Sequence, residues 1–260
     1  MKEKIWDFLN RKDEEYDRFV ENHQAKSGGQ KFLYIFFHFL PGILAYALIH
    51  LRVPLANLFG ISTRYLEYSL FISVTYLWYI VLPFILLKKR EKLSLKGSLR
   101  FLNLNRFDLK GFFLVFPFVL VITTAVSIPY MKYAAPPIRS FLQSIPFFVI
   151  PEGSIFKQGL YDFPTVMLLI MLIGNFLGEE VYFRGFLMKK IGFFGSWTWL
   201  IHSVFFVLYH VWQAPNTYPL IGIAIVFGLT MQLRKNLYVL IALHLYFNLF
   251  WDSVLALFSI

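Results

Sequence analysis

The sequence predicts an all-α membrane protein: a polytopic bundle of about seven transmembrane helices with its working residues on the C-terminal ones. Three observations predict it. The 260 residues are 58% hydrophobic and 15% charged, with a mean hydropathy of +0.59, whereas soluble globules run near half apolar and a quarter charged. The apolar residues fall in runs of about 17 to 25, the helical length that crosses a ~30 Å hydrocarbon core. The lysines and arginines between those runs are sorted onto alternate sides.

Residues 1–31 mix seven basic with seven acidic residues and hold no uninterrupted apolar core. They do not form a cleavable signal peptide, so the mature chain is expected to begin here. Ile5, Phe8, Leu9, Tyr16, Phe19 and Val20 fall at mostly helical spacing. That pattern predicts an amphipathic cytoplasmic segment lying on the membrane surface, ahead of a flexible Ser27-Gly28-Gly29. Residues 32–260 then form a single membrane-embedded domain. Its spans are expected at about 32–51, 66–87, 111–130, 165–188, 197–213, 218–233 and 237–258. The long connection 131–163 carries Pro136, Pro137, Pro146 and Pro151 and is expected to cap the bundle.

The net charge of +10 would point to nucleic acid in a soluble chain. Sorted by side, however, 20 of the 25 Lys and Arg lie with the N-terminus and only Arg52, Arg64, Lys132, Arg139 and Lys157 lie opposite. This is the positive-inside pattern, and it places the N-terminus in the cytoplasm and the C-terminus outside. The expected location is a bacterial plasma (inner) membrane, with the lipid bilayer as partner and no nucleic acid. The absence of cysteine leaves carboxylates, imidazoles and hydroxyls to carry any chemistry.

A charge in mid-span costs about 2.5 to 3.5 kcal/mol, so polar groups there need a reason. Most of them sit in the last third. Glu179, Glu180 and Arg184 lie in the fourth span, His210 ends the fifth, and His244 and Asn248 share the seventh. Glu180 and Arg184 are four apart and can pair; Glu179 is offset from that pair and free to face something else. Asn175 precedes Glu179 by one turn, and Gly174 with Gly178 make a small-xxx-small surface for close helix approach. His244 and Asn248 project from one face. At about 1.5 Å of rise per residue, Glu179, His210, His244 and Asn248 lie roughly 16, 21, 12 and 18 Å from the cytoplasmic boundary. Three segments therefore place them in one layer. His38, His50 and His202 have no such partners in the pattern and read as packing residues.

In order along the chain, Glu-Glu-x-x-x-Arg at 179–184, Phe-x-x-x-His at 206–210 and His-x-x-x-Asn at 244–248 resemble the three motifs of the CPBP family. These are the CAAX proteases and bacteriocin-processing enzymes, also called the Abi family of intramembrane endopeptidases. The resemblance covers about 165–258, and the earlier residues match only as membrane spans. It implies an endopeptidase that activates water inside the membrane, similar to type 2 CAAX prenyl proteases and to bacterial bacteriocin-processing or self-immunity proteases. Glu179 would be the general base and later proton donor, and His210 would hold and polarise the water. His244 with Asn248 would stabilise the oxyanion, with Glu180 and Arg184 in support. The residue chemistry agrees, because a carboxylate held in an apolar site is a stronger base than in water.

The implied substrate is a peptide or protein tail at the membrane. Zinc is a further cofactor reading, since Glu179, His210 and His244 could supply three ligands and leave a fourth position open. Asn248 is a poor zinc ligand and a good amide donor, which favours the glutamate-and-water mechanism. From other functional classes, a transporter could use the same polar cluster as an ion relay. A non-catalytic immunity or scaffold protein could use it for packing. The chain has no evident inverted repeat and its cluster lies in one half, which count against the transporter.

Overall fold

A computed structural model describes residues 8–158 and 163–257. Among them all regular structure is helical, and six helices are long and apolar enough to cross a membrane. They are α2 (Gly28–Phe59), α3 (Thr63–Lys89), α5 (Gly111–Tyr133), α7 (Thr165–Lys190), the broken span Val211–Arg234 that ends in α9 (Ile221–Arg234), and α10 (Leu237–Leu257). The remaining apolar stretch is shorter, Gly192–Leu208, and ends in α8 (Thr198–Leu208). Shorter helices accompany them, among them α1 (Glu14–Asn22), α4 (Leu95–Phe101) and α6 (Ala135–Gln143).

The expected fifth span, 197–213, stops early. Beyond Leu208 the chain leaves α-helical geometry at His210 (φ −75°, ψ 35°) and continues through short helical turns to Leu220. Pro215 and Pro219 start two of those turns; lacking an N–H, neither can continue a helical ladder begun before it. The Ser27-Gly28-Gly29 stretch also departs from expectation, being a helix start and not a flexible link. Ser27 Oγ accepts the Gln30 N–H at 3.2 Å while Gln30 Oε1 accepts the Ser27 N–H. This capping box satisfies amides that a helix N-terminus otherwise leaves unpaired. Of the expected surface helix, Ile5 lies outside the described residues, and α1 docks on the bundle through Tyr16, whose hydroxyl donates to the Phe101 carbonyl.

The charges separate into two ends, as their sequence positions require. At one end Lys190 pairs with Glu91 and donates to the His23 carbonyl, Arg100 pairs with Glu15, Lys235 with Asp17, and Arg234 with Asp108. Segments far apart in sequence thus assemble one basic face. At the other end Arg52 lies 3.7 Å from Glu67 and donates to the Glu152 carbonyl, and Glu67 accepts the Ile155 N–H at 2.8 Å. Tyr46 stacks on Phe147 there, so the connection between α5 and α7 folds over that end.

The centre of the bundle is α7. Tyr182, Phe183, Phe186 and Leu187 are fully buried, and the Tyr182 hydroxyl donates to the Phe37 carbonyl while accepting the Trp78 indole N–H. Close contact with α3 depends on Gly174 and Gly178: a Cβ at Gly178 would lie 2.7 Å from the Thr75 carbonyl oxygen, and one at Gly174 2.6 Å from Thr75 Oγ1. The small-xxx-small pair seats one helix on the backbone of the other. Both partners carry wide, i→i+5 turns, Ser73–Val81 in α3 and Glu180–Leu187 in α7. Such turns are uncommon and recur at functional sites.

Candidate active site

The wide turn of α7 begins one residue after Glu179, so the two adjacent glutamates leave the helix in different directions. Glu180 is fully buried, and its Oε1 accepts from Arg184 Nη1 at 2.9 Å and lies 2.9 Å from His244 Nδ1. The pairing read from the four-residue spacing is present, and His244 joins it. Arg184 lies over the Phe206 ring, its guanidinium carbon 3.6 Å from the centroid, a desolvated cation on a π face. Arg184 and Glu180 are at most 1% exposed. Removing one partner of a buried pair costs about 3 to 5 kcal/mol, because the other charge stays behind. Arg184→Met is therefore expected to lower thermal stability in detergent by that order, and Glu180→Leu with Arg184→Met to recover most of it. A single variant as stable as the parent would refute the clamp.

His210 sits in the non-helical turn after α8. Its Nδ1 is 2.9 Å from the Phe206 carbonyl; a carbonyl only accepts, so Nδ1 carries a proton and Nε2 is turned toward Glu179. His244 follows the same logic, with Nδ1–H facing the Arg-paired Glu180. Both rings thus have their outer nitrogen fixed by a carbonyl or carboxylate, which sets their orientation. Phe206 has two uses in the Phe-x-x-x-His motif: its carbonyl orients the imidazole and its ring carries Arg184.

Glu179 stands between the two imidazoles. His210 Nε2 is 3.7 Å from Oε1 and His244 Nε2 is 3.9 Å from Oε2. These gaps exceed a direct hydrogen bond, yet a water oxygen placed there can touch the carboxylate and an imidazole together. Oε1 also accepts the Tyr209 hydroxyl and, at 3.3 Å, the Asn175 amide. Asn175 Oδ1 accepts in turn from Asn248 Nδ2 at 2.7 Å. Asn248 therefore lies at the rim of the cluster, its amide shared with Asn175, and its second N–H is not engaged by that bond. A cavity of about 210 Å³ adjoins the group, lined by Asn175, Glu179, His210, His244 and Asn248 and walled by apolar residues that include Trp251.

All six residues predicted from the sequence meet here, from three separate segments. Of the histidines read as packing residues, His38 and His202 are buried and in contact, Nε2 to Nδ1 at 3.1 Å, whereas His50 is exposed and lies against Tyr46. Tyr209 and Gly42 are additions. Tyr209 adjoins His210 in sequence but reads there as one aromatic among many. Gly42 gives no signal at all, yet a Cβ on it would fall 1.8 Å from the Tyr209 carbonyl oxygen. Its bareness lets α2 press directly on the turn that holds His210.

As for metal, Glu179 Oε1 is already taken by two donors, and among the described residues no three His, Asp or Glu side chains gather into a metal-holding group.

Residues 161–250 match the family model described as Type II CAAX prenyl endopeptidase Rce1-like. The match contains all three motifs and agrees with the CPBP/CAAX protease resemblance read from them. No curated protein and no solved structure matches the chain.

Proposed function

We propose that this chain, an integral multi-pass membrane protein with an Rce1-like C-terminal region, is an endopeptidase that hydrolyses a peptide bond in a membrane-associated peptide or protein tail with a water activated by Glu179. The observation that carries the reading is the placement of one buried carboxylate between two imidazoles of fixed orientation, 3.7 and 3.9 Å away, beside a cavity.

The chemistry follows from those groups. A water in the cavity, held against Glu179 Oε2 within reach of the imidazoles, gives its proton to that oxygen as its own oxygen attacks the carbonyl carbon. The carbonyl oxygen becomes an oxyanion facing Asn248, whose second N–H can donate, and His244. His244 donates from Nε2 when the ring is doubly protonated, and Glu180 lies against Nδ1 to balance that charge. Each such donor is worth about 3 to 4 kcal/mol in the transition state. The C–N bond then breaks, and Glu179 returns its proton to the leaving amine. Water and peptide are consumed, and a carboxylate and an amine are released.

Placing the basic end in the cytoplasm, by the positive-inside rule, puts the N-terminus there and fits a bacterial plasma membrane.

The test uses full-length protein in liposomes containing a membrane-anchored peptide with a fluorophore across the scissile region. Wild type is expected to cleave it, and His210→Ala to lose about 100-fold or more in kcat/KM while remaining monodisperse. Cleavage by His210→Ala at the wild-type rate would overturn the assignment. The reading also requires activity to persist after exhaustive chelation, with no stoichiometric metal by elemental analysis. Activity lost on chelation and restored by zinc would instead assign Glu179, His210 and His244 as ligands.

A further inference from the structure

We propose that Tyr209 and Asn175 clamp one oxygen of the Glu179 carboxylate and thereby dedicate the other to proton transfer. Both are positioning residues for the hydrolysis proposed above, and the assignment rests on that reading. Neither is a specified position of the three motifs: Tyr209 is an unspecified residue of Phe-x-x-x-His, and Asn175 precedes the first motif.

A carboxylate turns readily about its last side-chain bond and exchanges its oxygens, so an isolated Glu179 would present either oxygen to the water at varying angles. Here Oε1 accepts the Tyr209 O–H and the Asn175 N–H, which fill its two acceptor directions. Oε2 is turned toward His244 Nε2. With Oε1 occupied, Oε2 is the oxygen that takes the proton, and its lone pair is held at one angle to the cavity. Holding a reacting group in its productive geometry is a large share of catalysis.

Both clamping groups are themselves fixed. Tyr209 is buried, its ring lies 4.4 Å from Phe183 and 5.2 Å from Trp212, its N–H donates to Phe205, and Gly42 backs its carbonyl. Asn175 cannot reverse its amide, because Oδ1 must face the Asn248 donor while Nδ2 faces the carboxylate. That amide also ties the base to the proposed oxyanion donor. A peptide that draws Asn248 onto its carbonyl oxygen pulls on the group that orients Glu179.

The experiment compares wild type with Tyr209→Phe and Asn175→Leu in liposomes, by kinetics and by infrared spectroscopy of the Glu179 carboxylate, whose band is identified by its loss in Glu179→Gln. Tyr209→Phe is expected to lower kcat about tenfold, the loss of one hydrogen bond to a charged group, with KM within about twofold, and to move the band. Asn175→Leu should move the band in the same direction, and it serves as the reporter if Tyr209→Phe does not fold. Tyr238→Phe, whose hydroxyl donates to Leu104 away from the site, should change neither kcat nor band. A band unmoved in the folded variants, or a raised KM at unchanged kcat, would overturn the clamp. The band is read without substrate, so absent cleavage by wild type would refute the peptidase reading and leave the clamp to be judged by the spectrum.

Discussion

Glu179→Gln is expected to lower peptide cleavage by about 10³-fold, within the range for loss of a general base, while leaving the protein folded. Gln keeps the shape and can still accept from Tyr209 and Asn175 at its amide oxygen, so the clamp geometry survives. What it cannot do is take a proton from water. The measurement is single-turnover cleavage of the membrane-anchored peptide, with size-exclusion behaviour and thermal unfolding as folding controls. Because Glu179 is only about 4% exposed, the neutral replacement is not expected to destabilise the bundle. Residual cleavage within about tenfold of wild type, less than a general base contributes, would show that another group takes the proton and would sink the mechanism. Glu180→Gln should behave differently. It leaves Arg184 without its counter-charge, so its loss of activity should come with a loss of stability.

Gly42→Ala should be nearly as damaging although residue 42 touches no reacting group. The added Cβ would lie 1.8 Å from the Tyr209 carbonyl oxygen and 2.8 Å from its carbonyl carbon. Both are backbone atoms, so no side chain can swing aside; either α2 withdraws or the turn at 209–210 shifts. Tyr209 carries the hydroxyl that holds Glu179 and the next residue is His210, so a shift of about 1 Å displaces two site groups together and is expected to cost about 100-fold in kcat. Overpacking of this kind also costs about 1 to 3 kcal/mol of stability. Gly222→Ala is the control, because nothing lies within 4 Å of a Cβ there; it should cleave and unfold like wild type. Wild-type kinetics in Gly42→Ala would show that the turn tolerates movement and that the close approach has no part in positioning the site.

Much of this was legible in the chain itself, for reasons that differ by residue. Glu179, Glu180 and Arg184 stand out because lipid makes charge expensive, so three charges in an apolar run demand an explanation. Their pairing was legible because side chains four apart on a helix meet. His244 and Asn248 were legible as a shared face for the same reason, but their partners were not. That His244 reaches Glu180, and that Asn248 reaches Asn175, are contacts between helices, set by how α7 and α10 pack. The path of the fifth apolar stretch was misread: its hydropathy continues past Leu208, and hydropathy does not report where the helical hydrogen-bond ladder stops. Ser27-Gly28-Gly29 was misread in the opposite sense. Two glycines weaken a helix on average, and the capping box with Gln30 outweighs them.

The sequence by itself determined that the protein lives in a membrane, that its basic segments share one end, and which six polar residues form the cluster. Those follow from composition, from charge placement and from the cost of polar groups in lipid, all of which are properties of the residues in order. Only the tertiary structure decided which oxygen of Glu179 is held, which nitrogen of each histidine faces the cavity, and why Gly42 must be bare. Those depend on how segments far apart in the chain approach one another, and only packing fixes such approaches.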